Sequence, residues 1–313
     1  DSRKDRIGKF KWKLKQVYSV EFSREITSAN RKIMKKYYDP EDLYFFNGYG
    51  GFNKENNAYV IILDDFKSTP APWINVISNN KFGFHVSESG SAYTWSENSR
   101  ENKITSWSND AITDIPGEAL FIRDEESGDY WSITPKPIRD NGRYIIEHGF
   151  GYSRFIHEAY GIEGIETMFT PMNERCKIII VTLNNISGRR RKLSLTYYAQ
   201  LVLGVVPDNT AQYICTMINQ EKKYIYGENP YNEHFGALKA FLHIAGGKEE
   251  SFTGSRKEFI GRGKSIFSPE AMRKEYLSNI SGAGIDPCLC ENTKLELNAG
   301  EEKSFIIILG QYE

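Results

Sequence analysis

The chain has 313 residues, 40% of them hydrophobic, enough to bury a sizeable core as one large domain or two modest ones. Its 40 basic and 41 acidic residues leave a formal net charge of -1, which excludes a global attraction to nucleic acid or to an anionic membrane. Function has to come from local groups.

Residues 1 to about 40 read as a basic amphipathic helix. Tyr18, Phe22, Ile26, Ala29 and Ile33 recur at steps of three or four among Lys, Arg and Ser, and Asp39-Pro40 closes the run. Glu21, Glu25 and Asp42 dilute its positive face, which favours a tether packed on a larger domain over a lipid- or nucleic-acid-binding helix. The opening DSRKDRIGKFKWKLK lacks the apolar centre of a secretory signal, and no apolar run approaches the ~20 residues of a membrane-spanning helix. A soluble chain without its own export leader is expected.

After Pro40 the pattern changes to short strands between turn clusters. Strands are predicted over 58–63, 82–86, 91–95, 118–123, 143–148, 152–159, 162–170, 176–184, 192–203, 213–218, 238–244, 293–297 and 304–309. Asn47-Gly48, Gly50-Gly51, Ser127-Gly128-Asp129, Asn141-Gly142, Ser187-Gly188 and Ala299-Gly300 supply the turns. So many strands with almost no helix predict an all-β, large antiparallel sandwich over residues 41–313.

Within it, Ser87 to Glu118 concentrates candidate chemistry. Tyr93 and Trp95 lead into Glu97, Asn98, Arg100, Glu101 and Asn102, followed by Trp107, Asn109 and Asp110. A flat ring beside amides and carboxylates suits a sugar, the ring covering its apolar face while polar groups pair with its hydroxyls. The plainer reading is a strand face packing into a core beside turn residues. Glu97 and Glu101 would be neighbours on a helix, but they lie among strand and turn residues with Arg100 between them as an ion partner, so no catalytic pair is expected.

His148 and His157 occupy separate strands with no third ligand in a recognisable spacing, and read as structural. Cys176, Cys215, Cys288 and Cys290 fit neither zinc nor redox spacing, so free thiols and no metal are expected. In 193–203, Leu193, Leu195, Tyr197 and Ala199 alternate with Ser194, Thr196, Tyr198 and Gln200. Residues 178–181 and 306–309 are apolar throughout, which predicts cover on both faces from a third layer or another domain. The stretch 246–287 reads as an irregular excursion with one short helix, capped by Ser268 with Pro269 in first position. Gly263-Lys264-Ser265 imitates the end of a phosphate-binding loop, but the motif's first glycine would fall at Glu258 and the flanks do not read as strand then helix. The ending Leu309-Gly310-Gln311-Tyr312-Glu313, just past an apolar strand, reads as a domain edge.

The run PAPWINVISNNKFGFHVSESGSAYTWSENSRENKITSWSND, continuing into PGEALFIRDEESGDYWS, resembles the first domain of glycoside hydrolase family 94, the cellobiose-phosphorylase-like enzymes formerly glycosyltransferase family 36. The version in cyclic β-1,2-glucan synthases and 1,2-β-oligoglucan phosphorylases is the nearest in look. Further matches include Phe45-Phe46-Asn47-Gly48, His148 through Phe155, Tyr197 through Thr210, Asn229-Pro230-Tyr231-Asn232, Phe259-Ile260-Gly261-Arg262 and Asp286-Pro287-Cys288.

The resemblance implies a supersandwich of the galactose-mutarotase type, followed in the family by an (α/α)6 barrel that carries the chemistry. That chemistry is inverting phosphorolysis, in which a carboxylic acid protonates the glycosidic oxygen while inorganic phosphate, as co-substrate, attacks the anomeric carbon. Since the family's catalytic Asp lies in the barrel, no catalytic residue and no cofactor are expected here. The resemblance further implies a β-glucan oligosaccharide, the barrel and a homodimer partner as contacts, with a loop reaching toward a sugar site. Asp208, Asn209, Gln212 and Tyr213 fall in that loop, and Trp95, Glu97, Asn98 and Arg100 form the second candidate surface, facing glycan or barrel. Phosphorolysis implies a cytoplasmic setting, or the cytoplasmic side of a membrane for a synthase. The alternatives are a free-standing carbohydrate-binding module and a mutarotase-like epimerase, which would need a His and a carboxylate converging on one sugar.

Overall fold

β-branched and aromatic residues in short runs, broken by Gly, Asn and Asp, build strands whose two faces meet different surroundings. The computed structural model describes residues 38–313. The helix expected over residues 1 to 40 falls almost wholly outside them.

A 3-10 turn at Pro40–Asp42 leads into β1 (Leu43–Tyr44), β2 (Gly50–Asn53) and β3 (Tyr59–Leu63). β4 (Ile74–Ser78), β5 (Phe82–Ser87), β6 (Ala92–Ser96) and β7 (Lys103–Thr105) follow as an antiparallel meander. Then come β8 (Glu118–Asp124), β9 (Tyr130–Trp131), β10 (Tyr144–Gly149), β11 (Tyr152–Ala159), β12 (Ile162–Phe169) and β13 (Cys176–Asn185). The long β14 (Arg191–Gly204) precedes the helical turn α1 (Pro207–Thr210), then β15 (Cys215–Asn219), β16 (Tyr224–Glu228) and β17 (Lys239–Ala245). The chain closes with β18 (Lys248–Ser255), α2 (Arg256–Ile260), β19 (Pro287–Leu297) and β20 (Glu302–Tyr312).

These strands make two antiparallel sheets. The larger has 11 strands in the order β1-β2-β3-β10-β11-β12-β13-β20-β17-β16-β15, and the smaller has 9, with β18-β19-β14-β7-β6-β5-β4 as its main path and β8 and β9 attached beside β14. Their facing sides enclose one core, in which Phe84, Ile146, Val181, Leu195, Leu242 and Ile307 are fully buried. The large all-β antiparallel sandwich expected from the pattern, which the resemblance implies to be a supersandwich, is the fold observed.

β14 organises the smaller sheet. Its first part pairs with β19 on one side and β8 on the other; at Leu201 and Gly204 the ladder shifts register and passes to β7. Leu203 sits inside that irregularity with φ of 43°, a left-handed conformation unusual for a branched side chain.

Three expectations are corrected. The stretch 246–287 is not irregular throughout: it opens with β18, whose Phe252 and Thr253 are buried against β19. Two glutamates and a glycine hide that strand from a pattern search. The short helix signal appears as a 3-10 turn, Glu270–Arg273, with Pro269 rather than Ser268 at the capping position. As for the all-apolar strands, the outer faces of β13 and β20 are shaded laterally among the described residues. Tyr224 and Phe241 cluster with Ile178, Ile180 and Ile308, and Phe169, Tyr226 and Tyr312 pack around them.

Candidate functional site

The 207–213 segment departs from the smaller sheet where β14 ends. Pro207 starts α1, its fixed φ suiting a first helical position, and a 3-10 turn, Ala211–Tyr213, continues it, so the expected loop is two consecutive short turns. The Thr210 hydroxyl donates to the Val206 carbonyl at 3.1 Å, and Ile214 behind the turns is fully buried. This anchoring leaves Asp208, Asn209, Gln212 and Tyr213 on the surface.

Tyr213 has a partner that the sequence reading missed. The Tyr231 ring lies 4.3 Å from it, centroid to centroid, with the planes 9° apart, and Tyr231 is 71% exposed. Tyr231 belongs to a tightly tied connection between β16 and β17. The Asn229 side chain accepts from the Tyr231 backbone N–H and donates to the Leu203 carbonyl at 3.0 Å, while Asn232 accepts from the backbone of His234 and Phe235. The available signal was Asn-Pro-Tyr-Asn, two side chains able to close Asx turns around a tyrosine.

In the second predicted group, each residue has a distinct setting. Trp95 is half-buried and lies across Gly83 of the neighbouring strand, where an added Cβ would stand 2.5 Å from the indole. Glu97 adopts φ of 63° and pairs with Arg175 at 2.5 Å. Arg100 is exposed and its ion partner is Glu101, at 3.4 Å, rather than Glu97. Asn98 spends its side-chain oxygen on the backbone N–H groups of Arg100 and Glu101, both at 2.9 Å, and so acts first as a turn former.

The two predicted groups share one end of the sandwich. The Lys103 ammonium donates to the Val205 carbonyl at 3.2 Å, and Asn102 donates to Gln311 at 2.8 Å, whose backbone N–H in turn reaches the Arg175 carbonyl at 3.0 Å. The hairpin after Trp95, the turn holding Arg175 and the segment before Pro207 are thereby joined.

On the outer face of β5 and β6, Trp107 stacks on Tyr93 at 5.2 Å and 6°, while His85 meets both rings edge-on. Tyr93 is buried and Trp107 is 37% exposed, so only the latter could present a ring. Burial holds the His85 imidazole down to about 4 despite the nearby carboxyls of Asp114 and Glu118.

Between the sheets lies a polar cluster that no spacing announced. Glu118 accepts hydroxyl bonds from Thr94, Thr105 and Tyr197, each at 2.6 Å, and an ammonium bond from Lys177. Burial opposes its charge, but Lys177 and these donors prevail and its carboxyl titrates below the usual range. Glu166 stands nearby, 1% exposed, with one carboxyl oxygen unpartnered. A small cavity lined by both glutamates, Gly90, Thr134, Met168 and Tyr197 adjoins it.

His148 and His157 are engaged in the fold. His148 contacts the Ser153 hydroxyl and the Trp73 carbonyl; His157 contacts the Arg143 carbonyl and, at 3.1 Å, the Asp140 carboxyl. His157 also stacks on Tyr144 at 3.8 Å, so its ring face is covered as well as its two nitrogens. Lys264 of the phosphate-loop lookalike is paired with Glu270. The four cysteines are free, and burial pushes the thiols of Cys288 and Cys290 up. Among the described residues no three His, Cys, Asp or Glu side chains are grouped to hold a metal ion, and no helix is long and apolar enough to cross a membrane.

Residues 57–313 match the family model described as "Glycosyl hydrolase 94, supersandwich domain". The chain is 37% identical over 284 residues to the cyclic beta-(1,2)-glucan synthase NdvB of Rhizobium meliloti (strain 1021), covering 87% of this chain and 10% of the synthase. It is 28% identical to the N,N'-diacetylchitobiose phosphorylase of Vibrio proteolyticus, covering 84% of this chain and 33% of that enzyme. The chain therefore spans a third or less of the length of these relatives. A galactose mutarotase related enzyme from Lactobacillus acidophilus aligns in structure with a TM-score of 0.44 and 8% identity, over 77% of this chain and 98% of that one.

Proposed function

Because the chain belongs to glycoside hydrolase family 94, as its supersandwich domain, we propose that it serves as the non-catalytic, glycan-facing domain of a β-glucan phosphorylase or of a cyclic β-1,2-glucan synthase. In this reading the domain supports an (α/α)6 catalytic barrel and a second copy of the chain, on the cytoplasmic side of the membrane in the synthase case. The sugar is a β-1,2-glucooligosaccharide, and inorganic phosphate is a co-substrate of the whole enzyme. Residues 1–40 act as the tether.

The observation that carries the reading is the paired tyrosine platform beside Asp208, Asn209 and Gln212. Tyr231 offers an exposed, immobilised ring to the apolar face of a pyranose, and the polar side chains of α1 and the following turn lie within the same loop cluster, suited to hydroxyls. The ion-paired Glu97, with Arg100 and the half-buried Trp95, supplies the adjoining polar surface. The epimerase alternative would need a His and a carboxylate to converge on one sugar, and His148 and His157 instead hold partners within the fold, which favours the glycan-facing reading.

Calorimetric titration of the chain with β-1,2-glucooligosaccharides tests the proposal, alongside an assay for glucose 1-phosphate release in phosphate buffer. Binding without phosphorolysis is expected. Phosphorolysis by this chain alone would overturn it, and absence of binding would reduce the domain to a scaffold for the barrel.

A further inference from the structure

Glu118, Glu166, Lys177 and Tyr197 come from β8, β12, β13 and β14. β8 and β14 belong to the smaller sheet, β12 and β13 to the larger, so the four side chains meet across the joint. None is more than 2% exposed. The cluster has two carboxyls and a single ammonium, and the shares are unequal. Glu118 receives the Lys177 ammonium and three hydroxyl donors, whereas one oxygen of Glu166 has no partner; both glutamates line the cavity.

A carboxylate without donors in an interior is costly, and a second negative charge beside Glu118 would add repulsion that one ammonium cannot cancel twice. The groups facing Glu166 are Lys177 from β13, Glu118 from β8 and the Tyr197 phenol from β14. His85 of β5 interacts in turn with Glu118 and Lys177 and is neutral above pH ~4. The Tyr197 hydroxyl is committed to Glu118, and burial followed by the Glu118 charge keeps it un-ionised.

We propose that Glu166, buried without a donor beside the Lys177–Glu118 pair that joins the two sheets, holds a proton there, and that loss of this proton in alkaline medium weakens the sandwich. Burial first, and the Glu118 charge with it, push the Glu166 carboxyl up to about 8 against the pull of Lys177. The sign follows from proton counting. Between the ordinary carboxyl range and about 8 the folded chain keeps a proton that the unfolded chain has released, so stability falls as pH rises through that window and then levels off.

Infrared spectroscopy of the folded chain carrying glutamate-selective 13C reads the proton directly. The carbonyl stretch of a neutral glutamic acid is expected at pH 7, vanishing with a midpoint near pH 8 and absent at pH 7 in Glu166→Gln. In parallel, the wild-type melting temperature should drop by on the order of 5 °C between pH 6 and pH 9, while E166Q, which cannot ionise, stays level over that interval. If E166Q does not fold, the glutamate-labelled wild-type band and its midpoint decide. A wild-type chain with no such band at pH 7, a band that survives in folded E166Q, or parallel alkaline melting curves would overturn the proposal.

Discussion

Tyr213 and Tyr231 lie ring against ring, 4.3 Å apart and 9° from parallel, although one ends the connection from β14 to β15 and the other sits in the connection from β16 to β17. Both connections are fastened to the irregular end of β14, the first through its own turns and the second through the Asn229 and Asn232 bonds to the Leu203 carbonyl. The platform is therefore ordered before a ligand arrives, which lowers the entropy lost on binding.

Removing the outer ring should thus cost affinity and little else. Tyr231→Ala is expected to weaken binding of β-1,2-glucooligosaccharides about tenfold, roughly 1.4 kcal/mol. Because the ring is largely exposed, the melting temperature should move little. Tyr231→Phe should retain most of the affinity, since stacking needs the ring and not the hydroxyl. Calorimetry on the three proteins checks this, and equal affinity for Y231A would remove the platform from the site.

Gly83 and Trp95 give a packing test. A methyl at Gly83 would come within 2.5 Å of the indole and 2.7 Å of the Ser78 Cβ, both beyond tolerance. Gly83→Ala should destabilise by about 1–3 kcal/mol, the range for an overpacked site, and should tilt Trp95 off its strand. Chemical denaturation measures the first effect and tryptophan emission the second. An unchanged spectrum with unchanged stability would mean that the indole is not seated on Gly83.

How far this site could be read in advance depended on where its information lay. The strands followed from alternation and turn residues, and 152–159 coincides with β11 because its buried and exposed positions alternate along its whole length. β18 was missed because Lys248, Glu249 and Glu250 precede its buried half, Ser251 to Ser255, and β4 because Ile74 and Val76 face outward. Asp208 to Tyr213 could be singled out only through family resemblance. Their partner Tyr231 is about twenty residues away, and two loops meet in space only after the sheet is assembled. The Glu118 cluster is less legible still, since its members come from four strands and nothing local marks a glutamate that will face a core.

Glu97 ties backbone strain to an ion pair. A non-glycine residue at φ of 63° costs about 1 kcal/mol or more, and Arg175 offsets part of that through a partly solvent-screened contact worth ~0.5–1 kcal/mol. Glu97→Ala keeps the strain and loses the pair, so it should destabilise by about that latter amount, as should Arg175→Ala. Glu97→Gly loses the pair but removes the strain, and should come close to wild type. Urea midpoints that rank the alanine variant at or above the glycine variant would show that the strain is absent.

His85 sets an acid limit to stability opposite in sign to that of Glu166. Burial lowers its imidazole to about 4 in the folded chain, from the 6.5 of an unburied histidine, and the same cause lowers His148 to about 4. Between those values the unfolded chain binds protons that the folded chain refuses, so stability is retained above pH 6.5 and lost as pH falls toward 4. Two histidines act in this direction, and Glu166 acts in the other together with Glu88 and Glu163, whose carboxyls burial also raises. His85→Phe, whose ring can keep the edge-on contacts to Tyr93 and Trp107, should shed one proton's share of the acid slope, ~1.4 kcal/mol per pH unit, and leave the alkaline slope intact. Melting temperatures from pH 4 to pH 9 for both proteins measure both limbs. An unchanged acid limb in H85F would mean that His85 is protonated in the folded chain as readily as in the unfolded one, and so is not sealed against the two rings.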